Sequence, residues 1–420
     1  MRMMSEMLIE FKKLNLTKIL ILAVFIRILI IPFYFHPDIK TYHFQASFLK
    51  TGVFDIYSYL EANKERLPLK EEFVYFPLTY FVLGGYQAAI TPLLGDSFQP
   101  WLADASQVTN ERTGVYRFLF LLKLPYLILD ISIAFLMLKF FKDENQRKKA
   151  FIFWLFNPFS IILLYIFSNV DIIPVFLTVA SLVAVKRNKP ILSALLLGLA
   201  AGFKAYPLLL IPFLFLYGKN IREKALILGV SLGTFLLTIL PFLPQESFRQ
   251  AALLSGLTTR LLIGSVSIGF GESLILGVIL LSGLFFYGLQ QRKVSFDNLI
   301  KYYFSAFILL YAFIHFHTQW LLWIMPPAVI LLNKKKNIVL PLVLLGLVAF
   351  AIPVLYEDKF MSFALLTAIS PLYNLLPLPT AVIQKVYDPH IIQSILHSTF
   401  VGGGLVVIWQ LLSRSEGKIE

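Results

Sequence analysis

Apolar residues along this chain gather into blocks close to the roughly 20 residues that cross a bilayer as a helix. No ten-residue alternating pattern of the kind that builds a transmembrane barrel is present. The blocks fall near residues 18–35, 73–95, 114–141, 150–168, 170–185, 191–203, 205–218, 225–243, 267–290, 299–316, 319–333, 337–355 and 391–412. They predict an all-α, polytopic transmembrane protein of about twelve or thirteen helices, with short interfacial helices in the first long connection, 36–72. A composition of 58% hydrophobic and 15% charged residues over 420 positions lies outside that of soluble domains.

The polar residues between blocks orient the chain. Lys12/Lys13, Lys142 to Lys149, Lys186 to Lys189, Lys219 to Lys224, Arg292/Lys293 and Lys334 to Lys336 lie on short connections and are expected to face the cytoplasm. The net charge of +13 is thereby a topology signal rather than a nucleic-acid footprint, which would need a basic face on a soluble module. Both termini read as cytoplasmic, but three blocks separate the first basic stretch from the one at Lys142 to Lys149. Either 73–95 or 114–141 is therefore re-entrant, or the basic-loop rule fails once. The stretch Met1 to Thr17 reads as the amphipathic lead of an uncleaved signal anchor. With no cysteine, the chain has no disulfide, thiolate metal site or thiol nucleophile.

The long connections 36–72, 244–266 and 356–390 fall on the outer side, with 96–113 joining them if the preceding block does not cross. Loops of this kind carry chemistry more often than short turns. All six histidines (His36, His43, His315, His317, His390 and His397) map to that side or to outer helix ends. Asp38 follows His36-Pro37 directly after the first block, where partial desolvation would suit a general base; the bland alternative is a solvated acid at a helix start.

Ionisable residues inside blocks are costly and therefore mark partners or function. They are Arg27, Lys123, Asp130, Asp171, Lys204 and Glu272. Lys123 and Asp130 share a helix face and are expected to form a structural ion pair through a neighbouring helix. Lys204 sits in the turn between two blocks, 191–203 and 205–218, the first of them only about 20 Å long against a hydrocarbon core of about 30 Å. That turn is drawn beneath the outer surface and places an ammonium at phosphate depth, with a snorkelling lysine, or one paired with Asp171, as the structural alternative. Tyr206, and Arg260 or Arg249 from the 244–266 connection, are placed to close such a phosphate site.

An acid after the first block (Asp38), Gly52 to Tyr57, Tyr75-Phe76-Pro77-Leu78-Thr79-Tyr80, Asn157-Pro158 followed by Asp171, and a glycine-containing block ending in Lys204 and Pro207 occur in a set order. In this order they resemble the GT-C superfamily of integral membrane glycosyltransferases, mannosyltransferase-like members in particular. The family often has Tyr-Pro-Pro-Leu where this chain has Tyr75-Phe76-Pro77-Leu78, and Gly-Gln where it has Ser168-Asn169. The resemblance covers roughly the first half and implies a catalytic transmembrane module over 1–220, a variable module over 221–420 and no soluble domain. It further implies an inverting transfer of mannose or another hexose from a polyprenyl-phosphate-linked donor to a glycan, lipid or protein acceptor, at the extracytoplasmic face of the cell membrane. Asp38 would be the base and Asp171 a neighbouring acid that positions the acceptor, with Lys204, Tyr206 and Arg260 on the donor phosphate. His36, Tyr42, Tyr75, His315, His317 and Gln319 would contact acceptor or sugar. Asp38, Asp171, His36 and His317 offer oxygen and imidazole donors to a divalent metal, but no spacing signature marks one. The chemistry fits the residues without the resemblance, since a hydroxyl acceptor needs a carboxylate base and a lipid-phosphate leaving group needs a cation. No cytoplasmic loop is long enough to fold around a soluble nucleotide sugar. The competing class is a transporter or flippase of lipid-linked glycans, which would more commonly show related halves and midplane breaks.

Overall fold

The computed structural model describes residues 16–105, 114–256 and 259–413. The amphipathic lead at Met1 to Thr17 lies almost wholly outside the described residues. The described chain is an all-α polytopic membrane protein interrupted by one short hairpin. Its elements begin with α1 (Thr17–Ile30), α2 (Pro37–Ser47), α3 (Ile56–Asn63), α4 (Pro77–Leu94), α5 (Val115–Met137) and α6 (Glu144–Leu155). They continue with α7 (Pro158–Ile161), α8 (Ile172–Lys186), α9 (Pro190–Ala201), α10 (Ile211–Tyr217), α11 (Ile221–Ile239), the strands β1 (Ser265–Gly269) and β2 (Glu272–Ile275), and α12 (Leu276–Leu289). The chain ends in α13 (Phe296–Ala312), α14 (Met325–Lys334), α15 (Val339–Val354) and α16 (Pro389–Ser413).

Among the described residues, three helices are long and apolar enough to cross a membrane: Val115–Phe140, Ile221–Phe242 and Pro389–Ser413. The first runs unbroken through Pro125, so of the two candidates for re-entry the 114–141 block has the length to cross. The block expected at 150–168 is instead part of a bent pair, Glu144–Leu155 and Pro158–Ile166, at an angle of 41°. Asn157 caps the second piece by accepting the Phe159 N–H, and Pro158 cannot donate to the first, so the helix must break there. Of the basic residues before it, Arg147, Lys148 and Lys149 belong to the start of α6 and Lys142 to the connection that precedes it.

The block expected at 267–290 is also divided. Its first third is the β1–β2 hairpin, and the apolar helix begins only at Leu276. Gly269 and Gly271, both at positive φ, turn the chain back on itself there. Glu272, expected inside a span, is exposed on that hairpin. The 36–72 connection does form short helices, α2 and α3, with a 3-10 turn at Phe48–Thr51.

The short helix α9 is packed closely on both sides. A Cβ on Gly198 would lie 2.4 Å from the Ser231 carbonyl oxygen, so only glycine lets α9 approach α11 this closely. On its other side α9 meets α8, where the buried Ser181 and Ser193 hydroxyls bond at 2.7 Å.

The expected Lys123–Asp130 pair does not form. Asp130 pairs with Arg27 across α1 and α5 at 2.6 Å, both side chains fully buried, and also accepts from Trp154 Nε1 and the Tyr165 hydroxyl at 2.7 Å each. Lys123 donates instead to the carbonyls of Ile31, Tyr34 and Tyr165 at 2.9, 2.6 and 3.0 Å. The first of these oxygens belongs to the unsatisfied end of α1, where a cation also meets the negative pole of the helix. Two helical turns separate Lys123 from Asp130 along one face, so each reaches a different layer of its neighbours.

Candidate active site

The Lys123 clamp fixes the chain immediately before His36-Pro37-Asp38, and the Phe35 N–H is held by the Leu365 carbonyl at 2.9 Å. Pro37 starts α2, and His36 caps it through Nδ1, which accepts the Asp38 backbone N–H at 3.2 Å. Since Nδ1 accepts, the ring proton lies on Nε2, a buried atom with no protein partner. Asp38 therefore stands in the first turn of α2, where the helix dipole favours its negative charge. Its carboxylate is about a third exposed; Oδ2 accepts from Gln319 Nε2 at 3.0 Å and Oδ1 lies 3.5 Å from His36 Nδ1.

Opposite stands Lys204. Its turn is pinned to the start of α4, because the Phe203 carbonyl accepts the Phe76 N–H at 3.4 Å and the Thr79 hydroxyl at 3.1 Å. The ammonium is bidentate on Asp171, at 2.8 and 2.9 Å, and lies over the rings of Tyr75, Trp323 and Trp320 at 4.8, 5.3 and 5.6 Å. Asp171 is fully buried and also accepts from Trp323 Nε1 at 2.7 Å. Tyr206 stacks on Trp323 at 4.4 Å, Trp323 on Trp320 at 5.1 Å, and the Arg260 guanidinium covers Trp320 at 5.4 Å, forming one continuous ladder of flat groups.

These groups enclose a cavity of about 450 Å³. Of the residues expected at the site, His36, Asp38, Tyr42, Tyr75, Lys204, Tyr206, Arg260, His317 and Gln319 all line it. Asp171 stands behind Lys204 and is not part of the wall. His315 is set aside: its ring stacks on Tyr356 at 4.0 Å and its carbonyl accepts from Arg260 at 2.6 Å. Arg249 does not close the site, because it donates to the Leu243 and Pro244 carbonyls of its own loop.

The remaining wall is mostly aliphatic, with Leu208, Leu209, Leu261, Leu310 and Ile314. Burial, reinforced by the neighbouring Asp38, pushes the Tyr42 hydroxyl well above its ordinary value and keeps it protonated. Burial and the nearby Arg260 bring the His317 imidazole down to about 4, so it is neutral at physiological pH. Among the described residues, no group of three or more His, Asp or Glu side chains is arranged to hold a metal ion.

A cavity holding two carboxylates, Asp38 and Asp358, and two cations, Lys204 and Arg260, with aromatic faces of the kind that stack on sugars, is suited to glycosyl transfer. Residues 119–321 match the family model described as Glycosyltransferase family 87. The match, over just under half of the chain, indicates a glycosyltransferase, in agreement with the resemblance drawn from the ordered motifs. No curated protein and no solved structure matches the chain. Within the matched stretch the glycosyltransferase carries Asp171, Lys204, Tyr206, Arg260, His317 and Gln319, while Asp38 and Tyr75 precede it.

Trp320 and Trp323 were not among the residues expected at the site; their spacing of three along a 3-10 turn, Thr318–Trp323, is what stacks them. Asp358 gave no sequence signal. It lines the cavity from the 356–390 connection, where it caps the Lys359–Met361 turn by accepting the Phe360 N–H.

Proposed function

We propose that this glycosyltransferase transfers a sugar, mannose or another hexose, from a polyprenyl-phosphate-linked donor to a hydroxyl acceptor at the extracytoplasmic face, with inversion. The observation that carries this reading is that one cavity is lined by Asp38, by Lys204 and Arg260, and by an aliphatic wall running from Leu208 to Ile314. In the proposed reaction the acceptor hydroxyl gives its proton to Asp38 as its oxygen bonds to the anomeric carbon. The bond from that carbon to the phosphate oxygen breaks on the opposite side, and the lipid phosphate leaves with both bonding electrons. Lys204 and Arg260 meet the charge that develops there, and a single displacement inverts the centre.

Gln319 holds Oδ2 of Asp38. His36, Tyr42 and Tyr75 close the same wall. Asp171 orients Lys204, and His315 holds Arg260 through its carbonyl. The aliphatic wall suits the first isoprene units of a lipid carrier, which a soluble nucleotide sugar would leave unused.

Purified protein incubated with a panel of polyprenyl-phosphate hexoses tests the proposal. Transfer or slow hydrolysis of one of them, giving a product of inverted anomeric configuration, is the expected result. Vectorial movement of an intact lipid-linked sugar with none consumed would assign the protein to transport instead.

A further inference from the structure

The hairpin β1–β2 pairs Val266 with Leu274 and Ser267 with Ser273. Because successive strand residues point to opposite faces, one face of the ribbon carries Val266 and Leu274, with Glu272 on the same face nearer the tip, and the other carries the two serines. Ser265 shares the serine face with Ile275, which is half-buried at the root. The apolar face is uncovered in the isolated chain: Val266 is 52% exposed, Leu274 46%, and Phe270 at the tip fully exposed. Phe270 also holds a φ of 50° between Gly269 and Gly271. A bulky side chain in the left-handed region is disfavoured, and an isolated two-stranded hairpin is marginal in water. The fold therefore presents an aromatic tip and an apolar face where water would reward neither.

The hairpin is nonetheless firmly rooted. Leu276 N–H donates to the Gly264 carbonyl at 3.0 Å, and Gly264 packs against the backbone of Phe313 at the end of α13. Lipid-facing surface adjoins it on both sides: Leu262 and Ile263 precede it, and Val278 and Ile279 of α12 follow, all exposed and apolar. The outer edges of its two strands leave backbone N–H and C=O groups unpaired, which hydrocarbon does not tolerate but the headgroup layer does. Four residues before it, Leu261 lines the cavity, as does Arg260.

We propose that residues 265–275 form a membrane-surface shelf. The ribbon lies in the headgroup layer, with Val266, Leu274 and Phe270 reaching the acyl boundary, the Glu272 carboxylate held among the headgroups, and Ser267 and Ser273 turned to water, as amphipathic interfacial elements do. Its partner is the lipid bilayer beside the rim of the cavity, and the assignment is independent of the donor.

Because the native chain has no cysteine, single cysteines at 266, 267, 270, 273 and 274 can each carry an environment-sensitive fluorophore in nanodiscs. Every one of these positions is exposed, so the label displaces no packed atom. Labels at 266, 270 and 274 are expected to lose most of their emission to phosphatidylcholine bearing a nitroxide near the top of its acyl chain, and little to aqueous iodide. Labels at 267 and 273 should show the reverse. Equal iodide quenching at all five positions would place the hairpin in water and overturn the proposal. Protection from iodide at 266 and 274 without nitroxide quenching would indicate a protein partner and overturn it equally.

Discussion

Replacing Lys204 by Met separates its two roles. The ammonium is the only cation bonded to Asp171 among the described residues, and Asp171 is fully buried. Removing one member of a buried ion pair costs about 3–5 kcal/mol because the other is left uncompensated. The lower end applies here, since Trp323 Nε1 still donates to Asp171 Oδ2 at 2.7 Å. The same change removes one charged hydrogen bond to the donor phosphate, about 1.5–3 kcal/mol, or roughly a 10- to 150-fold loss of affinity. Adding Asp171→Asn removes the stranded carboxylate, so K204M/D171N should regain most of the lost stability and none of the lost affinity. Thermal unfolding in detergent measures the first quantity and titration with polyprenyl phosphate the second. A double variant that binds polyprenyl phosphate like the parent would refute the phosphate role. One no more stable than K204M would refute the stranded charge as the origin of the damage.

Asp38→Asn keeps the helix cap and the Gln319 contact available but lacks the base, so turnover should fall on the order of 100- to 10,000-fold with an unchanged melting temperature; turnover at the parent rate by a folded variant would remove Asp38 from that role. Asp130→Ala leaves Arg27 buried without its carboxylate, and the same reasoning gives a loss of about 3–5 kcal/mol, measurable as a lowered melting temperature. Stability should also depend on acid. His43 and His317 are both brought down to about 4 from an ordinary value of 6.5, His43 by burial and His317 by burial with Arg260 nearby. Between those values the unfolded chain binds protons that the fold refuses. The stability these neutral rings contribute is complete above pH 6.5 and declines as the pH falls toward 4. Melting temperatures across that window should flatten when His43 is replaced by Gln, and an unchanged slope would refute the assignment.

The membrane class and the all-α architecture were legible in the sequence because hydrocarbon demands long apolar runs whose backbone bonds close within the helix. Nine residues of the cavity wall, from His36 to Gln319, were among those expected, Lys204 from the cost of a cation within the bilayer, Asp38 from its place after the first block, and most of the others through the resemblance. Where a run breaks was less legible. The bend at Asn157-Pro158 fell inside a block read as one span, and the hairpin at 265–275 was merged with the helix behind it although it carries three serines, two glycines and Glu272. Partnership was legible only at Lys204, whose pairing with Asp171 was one of its two readings. Asp130 and Lys123 lie on one helix face, yet Arg27 is the cation that reaches Asp130, because α1 crosses α5 at that layer. The approach of α9 to α11, the stacking of Tyr206 on Trp323, and the arrival of Asp358 from a connection near the other end of the chain were likewise decided by packing. Local pattern determines which residues the bilayer will hold and at what depth; which side chain then faces which depends on how helices distant in sequence fit against one another, and no single segment carries that information.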